Sequence, residues 1–335
     1  MNKNISHDAN FRECLDIVAA CCRIARAAQQ ASLTLPQHSK SDSTPVTAAD
    51  FAVQAIINRK LGQFYKGVKI LAEESSADLK TKSSLLKRVC ELVGMNWPTV
   101  SAENITSAID MGNHRGIQES YWTLDPIDGT KGFIRGAQYA IALAFIDKGE
   151  VTKAIMGCPN LSTSKDKSLD AISPTGSIFF SLKGKGSWVL PDAYTSFDPE
   201  QISCKLSQSE EIRICGSVEP LHSVTKKNDQ IAQFLNKRNH KLKIDSQCKY
   251  AIVSRGQADA FIRLPTDRYY LEKVWDHAAG LLIASEAGAI VSDANGNDLN
   301  FRDGKEMLGN KGIVCASPYY HPRIITAIKD LQLNL

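Results

Sequence analysis

Apolar residues recur at helical spacing in two segments near the N-terminus. The first segment, residues 11–31, predicts an amphipathic helix. Its apolar positions are Leu15, Val18, Cys22 and Ala25. A second helix is expected to begin near Thr47, because a threonine hydroxyl can accept a hydrogen bond from a backbone N–H of the first helical turn. Farther on, KGVKILAEES predicts a strand that ends at acidic residues, and SSLLKRVCELVG predicts a third helix.

The middle of the chain consists of apolar or alternating runs separated by turn residues. Four of these runs predict strands: YWTLDP, YAIALAFID, VTKAIMGCP and SIFFSL. The turn sequences DKGE and KGKG favour hairpins between them. Beyond about residue 206, predicted strands and helices alternate from EIRICGS through to AIVSD, which is typical of a layered α/β structure. The expected fold class is therefore α/β, with an α+β layered N-terminal part.

The length of the chain favours two packed subdomains. A single hydrophobic core stops growing at about 250–300 residues, and this chain has 335. The change of pattern places the boundary so that residues 1–205 form one subdomain and residues 206–335 the other.

Composition and charge exclude several functional classes. The net charge of +4 and the lack of a dense Lys/Arg block argue against a nucleic-acid partner. No apolar run approaches the roughly 18 residues that a membrane span needs. The polar N-terminus MNKNISHDAN lacks the apolar core of a signal peptide, and the nine cysteines include no C-x-x-C pair, so we expect free thiols and a cytoplasmic location. The oligomeric state is not fixed by the sequence, although a monomer is favoured.

The segment LDPIDGT places two carboxylates three residues apart on a turn. Pro126 restricts Asp125 to an extended conformation, Gly129 allows a tight turn, and Thr130 is a good N-cap for a following helix. Two like charges ~4 Å apart cost on the order of 4 kcal/mol at an effective dielectric constant of 20, and a hard divalent cation removes that cost. Oxygen ligands favour Mg²⁺ over zinc. A capped loop with two solvated aspartates explains the segment equally well.

Three further acids lie among apolar neighbours, where an unpaired charge is costly. Asp50 follows PVTAA, Glu73 ends the run KILA, and Asp276 lies in EKVWDHAAG. Each acid by itself is explained as well by a helix cap or an ion pair.

Taken together, four ordered motifs resemble the inositol monophosphatase superfamily of Mg²⁺-dependent phosphatases. The motifs are PVTAAD, AEES, DPIDGT and WDHAAG. Within the superfamily, DPIDGTKGF followed by RGAQYAIALAFI is most similar to the 3′(2′),5′-bisphosphate nucleotidases. The resemblance covers most of the chain and implies an αβαβα sandwich of two subdomains, with most metal ligands in the first and Asp276 and the nucleotide-binding positions in the second. One departure is Ala72, where the family usually has glycine.

The resemblance also implies a ligand set for two or three Mg²⁺ ions. The implied metal ligands are Glu73, Asp125, the Ile127 carbonyl, Asp128 and Asp276. Asp50 is implied to lie beside a third, weaker metal and, with Thr130, to orient the attacking water. The implied substrate-binding positions are Thr130, His222, Ser246, Lys249, Arg263 and Asp276. Without the resemblance, Lys249 is explained by a solvated helix face, Arg263 by a strand-edge charge, and His222 by the start of a helix.

The implied activity is hydrolysis of the 3′-phosphate of adenosine 3′,5′-bisphosphate to AMP. 3′-Phosphoadenosine 5′-phosphosulfate, which would give adenosine 5′-phosphosulfate, is a further implied substrate, and Li⁺ is an implied inhibitor. The alternative within enzymes is an inositol phosphatase acting on a 1-phosphate. A catalytically inactive nucleotide-binding protein is the third hypothesis, and the presence of all five acids and of Thr130 argues against it.

Overall fold

Two long helices pack on one face of the larger of two sheets. The structure, a computed structural model, describes residues 8–34, 47–80, 82–117, 119–204, 209–218, 225–265 and 269–334. Helix α1 spans Ala9–Thr34 and helix α2 spans Ala48–Phe64. Thr47 is the N-cap of α2: its hydroxyl accepts from the N–H of Ala49, and its own N–H donates to Asp50. Both predicted helices are confirmed.

The larger sheet has seven strands arranged in chain order. They are β1 (Ile70–Ala72), β2 (Tyr121–Asp128), β3 (Ala140–Asp147), β4 (Glu150–Cys158), β5 (Ser177–Leu182), β6 (Ser187–Pro191) and β7 (Glu200–Ile202). Strands β1 and β2 are parallel, and every later neighbour pair is antiparallel. This arrangement confirms the predicted hairpin-rich sheet.

The smaller sheet has five strands in the order β11-β12-β10-β8-β9. They are β8 (Glu211–Gly216), β9 (Arg238–Lys243), β10 (Ala260–Arg263), β11 (Ile290–Ser292) and β12 (Ile313–Ala316). Strand β8 is parallel to both β9 and β10, whereas β12 is antiparallel to β10 and β11. The remaining helices are α3 (Ser83–Gly94), α4 (Ala102–Asp110), α5 (Thr130–Ile134), α6 (Thr225–Phe234), α7 (Cys248–Ser254), α8 (Ala278–Glu286) and α9 (His321–Asp330), with short 3-10 helices at Ser76–Lys80 and Val274–Asp276.

Five layers of helices and sheets pack around three apolar cores, the second of which surrounds the middle layer of helices. The first core joins α1 and α2 to one face of the larger sheet. The second lies between the other face of that sheet, helices α7 and α8, and one face of the smaller sheet. The third joins the outer face of the smaller sheet to α6 and α9. The molecule is therefore an αβαβα sandwich, as expected, and the predicted boundary between residues 205 and 206 lies outside the described residues.

Several local predictions need correction. Gly129, in the left-handed region at φ 85°, is the N-cap of α5, and Thr130 is its first residue. The helix predicted over VWDHAAGLLIASEAG is interrupted at His277, which has φ −133° and separates a 3-10 turn from α8. The strand predicted over KLKID begins three residues earlier, at Arg238, because the edge strand β9 pairs along the whole of β8.

All nine cysteines are free thiols in the described structure, in agreement with the sequence. Among the described segments, no helix is both long and apolar enough to cross a membrane.

Candidate active site

An irregularity in strand β2 turns two carboxylates toward the same space. Asp125 pairs with Ala142 of β3 and Asp128 pairs with Ala140, so three steps along β2 correspond to two along β3. In a regular strand, residues three apart point to opposite faces. A bulge adds one residue to one strand, and Pro126 is tolerated there because no ladder bond needs its missing N–H.

Asp276 reaches the same space from the end of the 3-10 helix that precedes α8. One carboxylate oxygen from each of Asp125, Asp128 and Asp276 lies within 4.8 Å of the other two. Glu272, Asp276 and His277 form a second group, in which two carboxylate oxygens and one imidazole nitrogen lie within 4.8 Å of one another. The fold thus brings together three of the predicted metal ligands, which come from two distant segments of the sequence.

Gln247, which the sequence did not single out, holds these segments together. Its backbone N–H donates to Oδ2 of Asp128 at 2.5 Å. Its side-chain Nε2 donates to the carbonyl of Trp275 at 3.0 Å, and its Oε1 accepts from the N–H of Gly280 at 3.3 Å. No residue-type pattern indicates this role, because the three partners are far from Gln247 in sequence.

Glu73 enters the site from the end of β1. Its N–H donates to the carbonyl of Leu124 at 3.2 Å, which continues the parallel pairing with β2. The next residue, Glu74, is held by the buried side chain of Gln54, which donates to its carbonyl and accepts from its N–H at 2.7 and 3.0 Å. Helix α2 therefore fixes the segment that carries Glu73.

Asp50 and Thr130 have partners other than each other in this structure. The buried Oδ2 of Asp50 accepts from the N–H of Thr47 at 2.8 Å and from its hydroxyl at 2.6 Å. The hydroxyl of Thr130 donates to the carbonyl of Ile127 at 3.2 Å. The predicted joint role of Asp50 and Thr130 on a water molecule stays a prediction.

Asp125, Asp128 and Asp276, with Glu73 beside Asp125, form an acidic cluster. Its electrostatics disfavour the state in which all of these carboxylates are charged. Burial raises the pKa of Asp125 well above its ordinary value, and the neighbouring carboxylates raise it further. Burial raises the pKa of Asp276 to about 7. It does the same for Asp50, despite the hydrogen bonds from Thr47. Although the surface of Glu73 is partly exposed, burial of its carboxylate raises the pKa to about 7 as well, against a hydrogen bond with Asp125.

The acidic cluster fits a hard divalent cation. The Oδ1 atom of Asp125 is buried and, among the described residues, has no hydrogen-bond partner. A buried carboxylate oxygen without a donor is costly unless a cation satisfies it. Because the donors in the cluster are oxygens, a hard metal ion suits them better than a soft one.

A cleft with a volume of about 260 Å³ opens beside the cluster, and the cationic side chains of Lys131, Lys249 and Arg263 line it. Lys131 is exposed, whereas the other two are buried or half-buried. Lys249, in α7, is only 7% exposed, and its Nζ lies 5.3 Å from the centroid of the Phe261 ring. Burial lowers the pKa of Lys249, whereas the negative charge of Asp128 opposes that shift. Arg263 ends β10 and lines the same cleft. Asp128 and Asp276 line the same cleft, so its wall carries acidic and cationic side chains together.

The backbone is tightly packed where the turn after β2 meets the start of α7. Ser246 has φ 64°, and a Cβ atom added to Gly129 would lie 2.9 Å from the Cβ of Ser246. The Ser246 hydroxyl donates to the carbonyl of Asp245 at 2.6 Å and accepts from the N–H of Cys248 at 3.2 Å. Ser246 thus lines the cleft with its hydroxyl engaged by the backbone, and its role in substrate binding stays a prediction. His222, the remaining predicted substrate contact, lies outside the described residues.

Comparison with known proteins identifies the family of the chain. The profile of the inositol monophosphatase family matches residues 10–333. The chain belongs to the inositol monophosphatase family. Solved members share its fold: an IMPase of Thermotoga maritima superposes with a TM-score of 0.62 at 18% identity, covering 95% of this chain and 96% of that one. An inositol monophosphatase of Anabaena superposes with a TM-score of 0.59 at 16% identity, covering 96% and 97%.

Several curated family members are more similar in sequence. A 3′(2′),5′-bisphosphate nucleotidase of Schizosaccharomyces pombe is 37% identical over 301 residues, covering 86% of this chain and 85% of its own. A 3′(2′),5′-bisphosphate nucleotidase of Oryza sativa is 35% identical over 330 residues, covering 93% and 91%. The family resemblance inferred from the four motifs is thereby confirmed.

Proposed function

We propose that the protein is a Mg²⁺-dependent phosphatase that hydrolyses the 3′-phosphate of adenosine 3′,5′-bisphosphate to give AMP and phosphate. The observation that carries the proposal is one cleft whose lining combines Asp128 and Asp276 of the acidic cluster with Lys249 and Arg263. A substrate with two phosphates can offer one group to the metal held by the acids and the other to the cationic side chains. The similarity to curated bisphosphate nucleotidases supports the same substrate class.

The acidic cluster is proposed to hold the metal. The ligands would be Glu73, Asp125, the Ile127 carbonyl, Asp128 and Asp276. When bound, Mg²⁺ ions would neutralise these carboxylates, stabilise the negative charge that develops on the phosphoryl group, and favour an in-line displacement by water.

Asp50 and Thr130 are proposed to orient the attacking water and to take up its proton, which passes through the Thr130 hydroxyl to Asp50. The Thr130 hydroxyl can accept a hydrogen bond from water and donate one in turn, and Asp50 is the acceptor proposed to lie behind it. The two bonds from Thr47 fix the orientation of the Asp50 carboxylate.

Lys249 and Arg263 are proposed to bind the 5′-phosphate that does not react. Charge-assisted hydrogen bonds from both side chains suit a phosphate dianion, and the partial burial of the two side chains limits screening by solvent. Ser246 and His222 are proposed to contact the nucleoside, and the same pocket would accept 3′-phosphoadenosine 5′-phosphosulfate.

The direct test is phosphate release from adenosine 3′,5′-bisphosphate by the purified protein with Mg²⁺. The value of kcat/KM should exceed that for inositol 1-phosphate, and Asp125→Asn should lower it roughly 1000-fold or more, because an electrostatic group at the reacting centre is lost. Full activity of Asp125→Asn, or a preference for inositol 1-phosphate, would contradict the proposal.

Lys249→Ala tests the second phosphate contact. The change should raise KM for the bisphosphate while affecting inositol 1-phosphate much less, since that substrate has no second phosphate. Lys241→Ala is the control, because Lys241 lies on the outer strand β9 and pairs with Asp229 at 2.7 Å. Equal effects of Lys249→Ala on both substrates would exclude Lys249 from the proposed phosphate site.

Inhibition by millimolar Li⁺ is proposed from the family resemblance. The same phosphate-release assay, repeated with added Li⁺, checks it.

A further inference from the structure

Arg263 is held on two sides by neighbouring side chains. Its Nε lies 3.1 Å from Oε1 of Glu272, and its Nη2 donates to the hydroxyl of Tyr270 at 2.9 Å. The guanidinium carbon lies 5.2 Å from the centroid of the Tyr270 ring. Because a guanidinium carries five N–H donors, these two contacts leave donors for a phosphate.

Glu272 is among the most buried acids of the described structure, with 3% of its surface exposed. Its backbone is fixed by the N–H of Met307, which donates to the Glu272 carbonyl at 2.9 Å. Burial disfavours the charge of Arg263, but the surrounding negative groups together outweigh that effect, so the pKa of Arg263 lies above its ordinary value. Glu272 makes the largest contribution among those groups. A rigid buried acid of this kind restricts the rotamers of a long and otherwise flexible side chain.

The second oxygen of Glu272 has a partner of its own. Oε2 lies 3.0 Å from Nε2 of His277, whose Nδ1 lies 2.9 Å from the hydroxyl of Tyr250. His277 and Tyr250 are both buried. Each oxygen of Glu272 therefore has a fixed direction, and Oε1 is directed at Arg263.

We infer that Glu272 is a positioning residue for recognition of the second phosphate, acting by holding the guanidinium of Arg263 toward the cleft. The inference rests on the proposed function, in which Arg263 binds the 5′-phosphate. Beside the contact proposed for Lys249, part of the preference for bisphosphates then comes from Arg263 and Glu272, of which only the arginine touches the substrate. Tyr270 supports the same orientation from the cleft side.

The test compares two substrates that differ only in the second phosphate. KM is measured for adenosine 3′,5′-bisphosphate and for adenosine 3′-monophosphate, with wild type and with Glu272→Gln. The preference, expressed as the ratio of the two KM values, should fall about 10-fold in Glu272→Gln, which corresponds to ~1.4 kcal/mol. Loss of fold or of bound metal changes the amount of active enzyme and does not by itself change this ratio.

The chain supplies a matched control pair outside the cleft. Arg213 pairs with Asp259 at 2.7 Å, with side-chain exposures of 30% and 0%, and Arg263 pairs with Glu272 at exposures of 26% and 4%. Asp259→Asn should lower the thermal stability and leave the KM ratio within about twofold of wild type. If Glu272→Gln does not fold, Glu272→Asp serves instead, because it keeps the buried charge and withdraws the carboxylate from Nε of Arg263.

Two results would overturn the inference. The first is an unchanged KM ratio in Glu272→Gln; if both KM values change by the same factor, the effect lies on the acidic cluster through His277. The second is a lower KM for the bisphosphate, which would make Glu272 a competitor of the phosphate for Arg263. A wild type without any preference for the bisphosphate would instead contradict the proposed function.

Discussion

Replacement of Asp125 by asparagine should stabilise the metal-free protein. The carboxylate is 2% exposed, one of its oxygens lacks a partner among the described residues, and it faces two other carboxylates. Asparagine has nearly the same shape, removes the negative charge and supplies N–H donors to the neighbouring acids. The stability gained by removing the charge repulsion should therefore exceed any stability lost through changed hydrogen bonds.

The size of the effect follows from the separation of the oxygens. At 4.8 Å, two unit charges repel by about 3.5 kcal/mol at an effective dielectric constant of 20. Because the cluster is not fully ionised, the repulsion removed by the substitution is less than that of one charged pair, or about 2–3 kcal/mol. For a chain of 335 residues the unfolding entropy is about 0.7 kcal/mol/K, so the metal-free Tm should rise by about 3–4 °C.

The assay is thermal unfolding at pH 8, first with a chelator and then with increasing Mg²⁺. Wild type should gain stability with Mg²⁺ through binding to the folded state, and Asp125→Asn should gain less than half as much. Asp293→Asn is the matched control. Asp293 is also buried but accepts from the N–H groups of Asn295 and Asn297 at 2.8 and 2.9 Å. Losing the charge of Asp293 should lower the metal-free Tm, because these bonds weaken.

The refuting result is a metal-free Tm of Asp125→Asn that falls as far as that of Asp293→Asn. Repulsion within the cluster would then be too weak to require a cation. A Mg²⁺ response as large as that of wild type would remove Asp125 from the metal ligands.

Two further predictions concern the backbone and the pH dependence of stability. Gly129→Ala should destabilise the protein by ~2 kcal/mol, because the new Cβ meets Ser246 and the backbone is in the left-handed region. Gly67→Ala is the control: Gly67 has φ 71° but open space around it, so the change should cost about 1 kcal/mol. Equal losses of stability in thermal unfolding would exclude the contact with Ser246. Burial lowers the pKa of His321 below 6.5, so the unfolded state binds this proton more tightly and stability falls as the pH drops below about 6.5. His321→Gln, which can keep the bond to the Ser292 hydroxyl, should therefore lose less Tm than wild type between about pH 7 and pH 5, and parallel pH profiles would contradict the assignment.

The sequence by itself determined the elements whose signals are local. Helix α2 begins after Thr47 because the cap and its partner Asp50 are three residues apart. Strand β1 ends just before Glu73, as the run KILA followed by acids indicates. The ordered acidic motifs also predicted the family, since a shared chemistry preserves residue types at their places in the chain.

Only the tertiary structure decided how these residues meet. The bulge that directs Asp125 and Asp128 to one side depends on the register between β2 and β3, and register is a property of paired strands. The roles found for Gln247 and Glu272 depend on partners that the chain brings close only when the two sheets and the layer of α7 and α8 pack together. A single side chain carries no signal of which distant atom it will bind, because that partner is set by the packing of whole elements.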